Sequence, residues 1–157
     1  ATFAKVLANL TPETQGPATT TDLAHSLRKF EGMRLRNGLV VIISDFFDPA
    51  GIEAITKAMG RTRHKLLLVQ LVRKGDRDPD PVRMSGDLRL VDSETGDAQN
   101  LSITADLLAR YRDAYDRFET GLTEFATRRQ CGLLQLDVDQ PIVDQLATLF
   151  EGGRYEV

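Results

Sequence analysis

Apolar residues in this chain fall into two patterns, short continuous runs and longer segments with helical spacing. The runs predict strands, and their expected positions are 39–44, 65–72 and 132–138. The first run is β-branched at four of six positions and reads as a strand buried on both faces. The helical segments are expected at 3–10, 21–32, 49–59, 105–130 and 141–151. Strands that alternate with helices predict an α/β fold of three layers, in which a mainly parallel sheet is flanked by helices.

A smaller element interrupts this alternation. Two apolar segments, 88–92 and 101–103, flank the turn-rich residues 93–97, which predicts a small hairpin near a sheet edge. The residues between 73 and 86 are dense in Asp, Arg and Pro, which is typical of a solvated loop.

Length, net charge and cysteine content limit the kinds of protein that this chain can be. The 157 residues suit one domain with a single core, and a net charge of -3 gives no basic surface for nucleic acid. No apolar run approaches the ~20 residues of a membrane span. Cys131 is the single cysteine, so no internal disulfide can form and a cytoplasmic location is expected. The chain opens at Ala1 without methionine or signal peptide, which indicates a piece of a longer protein.

Two carboxylates follow the first predicted strand. Asp45 lies at the carboxyl end of 39–44, where open α/β sheets collect their ligands, and Asp48 comes just before Pro49. Oxygen ligands of this kind suit Mg²⁺ or Ca²⁺. For Asp48 the pattern favours a helix cap. For Asp45 a metal ligand and a turn former are both open interpretations.

Other polar clusters have simpler interpretations. The run Thr19–Asp22 contains hydroxyls that can cap a helix, with Thr20 or Thr21 as the cap. Residues 76–80 lack the Gly and distal Glu of an EF-hand. Asp137 and Asp139 end the third strand, where turn and cap roles are common.

The chain lacks the usual catalytic signatures. There is no P-loop, no Gly-x-Gly-x-x-Gly and no Gly-x-Ser-x-Gly segment. His25 and His64 have no His or Cys at zinc-ligand spacing. Cys131 lies at the start of the third predicted strand, directly before residue 132, and is interpreted as an inert core thiol.

In sequence order, the chain resembles the C-terminal half of the von Willebrand factor A-like domain found in the "domain of unknown function 58" family. The resemblance rests on five segments: 21–27 (TDLAHSL), 38–48 (GLVVIISDFFD), 65–72, 86–96 (GDLRLVDSETG) and 137–141 (DVDQP). It implies a single von Willebrand factor A-like domain over 1–157 that lacks its N-terminal strands.

The resemblance also implies a metal-ion-dependent adhesion site. Such a site combines an Asp-x-Ser-x-Ser loop with a Thr and an Asp from two further loops. Thr21 corresponds to that Thr and Asp45 to that Asp, with Mg²⁺ as the expected ion. The Asp-x-Ser-x-Ser element does not occur in these residues and is expected upstream of Ala1. Strand 39–44 then becomes a sheet edge, which we expect to pair with a second copy in a homodimer or to be covered by the N-terminal residues.

The function implied by the resemblance is a non-enzymatic protein–protein interaction domain, with a MoxR-type AAA+ ATPase as the expected partner. Two alternatives come from the position of Asp45. A receiver-like phosphoacceptor domain would need an acidic pair after an earlier strand. A magnesium-dependent phosphoesterase would need Asp137 or Asp139 to converge on Asp45.

Overall fold

The structure, a computed structural model, describes residues 23–48, 50–77, 79, 86–91 and 98–151. Five helices and five strands lie within these residues. In chain order they are α1 (Leu23–Gly32), β1 (Leu39–Ser44), α2 (Ile52–Met59), β2 (Lys65–Val72), α3 (Lys74–Arg77), β3 (Gly86–Val91), β4 (Ala98–Ile103), α4 (Ala105–Arg129), β5 (Gly132–Asp137) and α5 (Ile142–Glu151).

The three predicted strands form one parallel sheet in the order β1-β2-β5. Ile42 of β1 lies opposite Leu68 of β2, which lies opposite Leu133 of β5. Because parallel strands need crossover connections, the helices between them are placed against the sheet faces. The predicted α/β fold with a parallel sheet flanked by helices is confirmed.

The main core lies on the face of the sheet covered by α1, α2 and α4. Ile42 and Leu68 point into it from the sheet, and Leu27, Ile55 and Leu122 meet them from the three helices. Ile55 and Met59 recur at helical spacing on α2, and both are fully buried.

The opposite face is covered unevenly. Val69, Leu134 and Leu136 form a second cluster against Leu146 of α5. Over β1, by contrast, the alternate residues of this face are exposed, namely Leu39, Val41 and Ile43. The prediction that 39–44 is buried on both faces is therefore wrong for the described structure, because no described helix covers that side of the edge strand.

The predicted hairpin is present and longer than expected. β3 and β4 pair in antiparallel fashion from Gly86 opposite Ile103 to Val91 opposite Ala98. The pair forms a separate two-stranded sheet instead of lying at an edge of the main one. The single turn of α3 lies in the segment predicted as loop, where the Tyr111 hydroxyl donates to the Asp76 carbonyl.

Helix boundaries follow local chemistry. Thr104 caps α4 as predicted, since its hydroxyl accepts from the Leu107 N–H at 3.2 Å. In α5, Ile142 and Val143 are exposed. The predicted helix at 3–10 and the Thr20 or Thr21 cap lie outside the described residues.

In the part of the chain that is described, no helix is both long and apolar enough to cross a membrane.

Candidate site at the carboxyl end of β1

The chain turns sharply where β1 ends. The Ser44 hydroxyl accepts from the Phe46 N–H, and the Asp45 Oδ1 accepts from the Phe47 N–H, both at 3.0 Å. Phe46 has a φ of 62°, in the left-handed region that non-glycine residues rarely adopt. Its ring is 1% exposed, so burial of a large aromatic side chain stabilises this backbone conformation. As a result, Phe46 points into the core while Asp45 and Phe47 face outward.

Asp48 links this turn to α1. Its Oδ1 accepts from the Ala50 N–H at 2.8 Å, and its Oδ2 accepts from the Leu23 N–H at 3.3 Å. The prediction that Asp48 caps the next helix is wrong, because α2 starts at Ile52 and its N-cap is Gly51. Gly51 has a φ of 83°, a conformation that favours glycine. Pro49, predicted in the first turn of that helix, lies outside the described residues.

A cavity of about 260 Å³ opens beside these residues. It is lined by the turn itself together with one residue from each of two helices: Leu23, Ser44, Asp45, Phe46, Phe47, Asp48 and Ile55. The carboxylates of Asp45 and Asp48 therefore line a concave surface. This cavity lies at the end of the sheet where the sequence predicted a site.

The structure describes one of the two predicted metal ligands. Asp45 is exposed, and its Oδ2 accepts no hydrogen bond from the described residues. Thr21 lies outside the described residues. No group of three or more His, Cys, Asp or Glu side chains that could hold a metal ion occurs within 23–48, 50–77, 86–91 or 98–151. A second carboxylate in the turn, Asp48, already uses both oxygens for backbone donors.

Asp137 and Asp139 do not converge on Asp45. Asp137 is the last residue of β5 and Asp139 follows it, and β2 lies between β5 and β1, which places the two strands about 10 Å apart. The Asp137 Oδ1 accepts from the Asp139 N–H at 3.0 Å, and Asp139 pairs with Arg73 at 3.3 Å. The convergence that a phosphoesterase site requires is therefore not found.

A receiver-like site also finds no support in this region. Between residues 23 and 38 the structure contains α1 and no strand. An acidic pair after an earlier strand is accordingly not provided by this segment.

Comparison with known proteins identifies the family. The profile of a family described as "Protein of unknown function DUF58" matches residues 1–121. This chain belongs to the DUF58 family. Neither the curated proteins nor the solved structures include a match. The match spans β1, the turn at Asp45 and most of α4, so the candidate site of this DUF58 chain lies within the family region.

Aromatic rings adjoin the turn in this DUF58 protein. Phe47 stacks on Phe118 with ring centroids 4.7 Å apart and lies 5.9 Å from Tyr115. Half of Phe47 remains exposed beside Asp45. Burial, followed by the charges of Glu119 and Asp76, raises the pKa of Tyr115 above its ordinary value, so the phenol is neutral at physiological pH.

Sequence analysis missed a buried polar group beneath this cluster. Gln70, 1% exposed at the middle of the sheet, accepts at its Oε1 from the Gln135 Nε2 at 3.0 Å. The amides of Gln70 and Gln135 both donate to the Glu119 Oε1, at 3.4 and 3.2 Å. The available signal was a single glutamine in the apolar run 65–72, since buried polar side chains need partners.

The remaining reactive side chains have structural roles. The His64 Nδ1 accepts from the Gly38 N–H at 3.1 Å, and its ring packs against Phe30. Burial raises the pKa of the Cys131 thiol, although Arg129 partly offsets this. A protonated thiol packed against the main core agrees with the interpretation of Cys131 as inert.

Proposed function

We propose that this DUF58 chain is a non-enzymatic protein–protein interaction domain whose contact surface is the carboxyl end of β1. The supporting observation is the exposed Asp45 carboxylate beside the half-exposed Phe47 ring. A fixed aromatic side chain next to a charge is a common feature of protein interfaces. Since Cys131 is the single cysteine of the chain, we place this function in the cytoplasm.

A divalent cation, Mg²⁺, is the proposed bridge to the partner. Asp45 would supply one oxygen through its Oδ2, and Thr21 a second through its hydroxyl. Leu23 lies against the turn through Asp48, and the chain can span at most about 7 Å between Leu23 and Thr21. This reach supports Thr21 as a ligand. Water and a carboxylate of the partner would fill the other positions of the ion.

The partner to test first is a MoxR-type AAA+ ATPase, which the family resemblance implies. Purified ATPase would be captured on the immobilised chain in Mg²⁺ and, separately, in EDTA. We expect capture in Mg²⁺ and its loss in EDTA. Capture that is equal in both conditions would contradict the role of the metal.

Metal binding is tested directly by calorimetric titration with Mg²⁺ and with Mn²⁺. Asp45→Asn removes the proposed charge and should abolish measurable binding, and Thr21→Ala should weaken it. Asp139→Asn is the matched control, because Asp139 is an exposed carboxylate after a different strand. Equal affinity for wild type and Asp45→Asn would refute the site. If the wild-type chain hydrolyses a generic phosphoester and Asp45→Asn does not, the function is enzymatic instead.

A further inference from the structure

A second cavity lies at the amino end of the main sheet, away from the turn that carries Asp45. Its volume is about 510 Å³, and it is lined by residues of two segments, 31–37 before β1 and 61–64 before β2. Because β1 and β2 are parallel, these two segments meet at the same end of the sheet. The six residues of β1 separate the cavity from Asp45 by about 20 Å. The two sites are therefore distinct.

Three guanidinium groups line this cavity against a single carboxylate. They belong to Arg34, Arg61 and Arg63, and the carboxylate is that of Glu31. All three arginines are exposed, and no ion pair or side-chain hydrogen bond in the described part of the chain uses them. The planar fork of an arginine matches two oxygens of a phosphate group, so this lining is suited to a phosphorylated ligand.

The backbone between Arg61 and Arg63 is held in place. Thr62 is 5% exposed, and its N–H donates to the Met59 carbonyl at 3.2 Å. Its own carbonyl accepts from the Arg129 Nη2 of α4 at 2.8 Å. A buried residue anchored in this way fixes the points from which the two arginine side chains extend, which lowers the entropy lost on binding.

Hydrogen bonds also join the two segments. The Gly38 N–H donates to the His64 Nδ1, and the Gly38 carbonyl accepts from the Lys65 N–H at 3.0 Å. Arg34 ends α1 in the left-handed region with a φ of 50°, and its N–H donates to the Glu31 carbonyl at 3.2 Å. The backbone therefore fixes the position of Arg34 relative to the segment 61–64.

Glu31 adds an acceptor to the lining. Its Oε1 is buried and has no hydrogen-bond donor among the described residues. Buried polar atoms normally have a partner, and a hydroxyl group of a bound molecule would supply the missing donor. Guanidinium groups beside such an acceptor suit a ligand that carries both a phosphate and a hydroxyl group.

We propose that this cavity binds a small phosphate monoester that carries a hydroxyl group near the phosphate. Arg34 on one side and Arg61 and Arg63 on the other hold the phosphate oxygens, and Glu31 accepts from the hydroxyl. The volume lies within the range of about 300–1,000 Å³ that is typical of small-molecule sites. This inference goes beyond the proposed function, because it involves neither Asp45 nor a metal ion.

Calorimetric titration with glycerol 3-phosphate and with inorganic phosphate tests the proposal. EDTA in the buffer excludes any contribution from divalent cations. The wild-type chain should bind glycerol 3-phosphate, and Arg34→Gln and Arg61→Gln should each lower the affinity roughly tenfold or more. Arg110→Gln is the matched control, because Arg110 is an exposed arginine of α4 that pairs with Asp106 outside the cavity. Circular dichroism would check that each variant is folded.

Glu31→Ala separates the two parts of the ligand. Loss of a like charge should raise the affinity for inorganic phosphate. Loss of the hydroxyl acceptor should at the same time reduce the preference for glycerol 3-phosphate over inorganic phosphate. Equal changes for the two ligands would rule out the contact between Glu31 and the hydroxyl.

Three other results would overturn the proposal. A wild-type chain that binds neither ligand would do so, as would an affinity that Arg34→Gln and Arg61→Gln leave unchanged. An equal loss in Arg110→Gln would assign the binding to general charge attraction. A single-stranded oligonucleotide that binds more tightly than glycerol 3-phosphate, and no longer binds in Arg61→Gln, would replace the small molecule by nucleic acid.

Discussion

The carboxylate of Asp48 accepts a hydrogen bond from the backbone N–H of Leu23, which precedes it by 25 residues. The loop after β1 thereby supplies an acceptor to Leu23, the first described residue of α1, as an N-cap side chain does from the residue that precedes a helix. The same carboxylate places a negative charge at the positive end of the α1 dipole. One side chain thus connects the core helix to the candidate site.

Replacing Asp48 should destabilise both α1 and the loop after β1. Asp48→Ala removes the acceptor of two backbone N–H groups, Leu23 and Ala50, and we expect a loss of about 1–2 kcal/mol in the free energy of unfolding. Urea denaturation gives this value, and amide hydrogen exchange at Leu23 should accelerate. As a control, Asp139→Ala loses an exposed ion pair and should cost less than about 1 kcal/mol. Similar values for the two variants would contradict the linking role of Asp48.

Close contact between α2 and α4 depends on Gly121. A Cβ at this position would lie 3.2 Å from the Cγ1 of Ile52, which leaves no room for a larger side chain. We expect Gly121→Leu to destabilise the fold by about 1–3 kcal/mol despite the better helix propensity of leucine. Gly32→Leu provides the comparison, since nothing lies within 4 Å of a Cβ at the end of α1. Thermal denaturation of the two variants checks the prediction, and a Gly121→Leu protein as stable as wild type would contradict it.

The sequence predicted the sheet and the helices because their patterns depend on neighbours along the chain. The continuous run of β2 and the period of α2 are local signals, and both proved correct. Burial of β1 was not predictable in the same way. It depends on which strand or helix covers Leu39, Val41 and Ile43, and that is a property of tertiary arrangement.

The position of the Asp45 carboxylate was predictable, but the hydrogen bonds of its neighbour Asp48 were not. A carboxylate at the end of β1 was expected, and Asp45 is there and exposed. The pairing of Asp48 with Leu23 joins residues far apart in sequence, so a local pattern read Asp48 as a cap for the following helix. The contacts of Gln70 with Glu119 and Gln135 also join residues that are far apart in sequence. In the sequence they are indicated only by a single polar residue within an apolar strand.

Alkaline pH should weaken the fold through Tyr115. Burial raises its pKa above that of an unfolded tyrosine, so the folded chain holds the proton more tightly. The stabilisation is complete below pH ~10 and is lost as the pH rises through the folded pKa. Urea denaturation at increasing pH measures the loss, and ultraviolet absorbance follows phenol ionisation. Tyr115→Phe should show a shallower decline at high pH, and an unchanged decline would assign it to other groups.

The part-buried contact of Gln70 with Glu119 should appear as an energetic coupling. Glu119→Leu leaves the Gln70 amide without its carboxylate acceptor, which should cost about 1–3 kcal/mol. Gln70→Leu removes the amide itself and leaves Glu119 bonded to Gln135. The double variant should therefore be more stable than the sum of the single losses implies, by about 0.5–2 kcal/mol. Urea denaturation of the four proteins yields this coupling.

A matched cycle of Arg77→Ala with Asp116→Ala, an exposed ion pair, should give less than about 1 kcal/mol. Strict additivity in the Gln70 cycle would mean that these side chains are packed next to each other without a stabilising hydrogen bond.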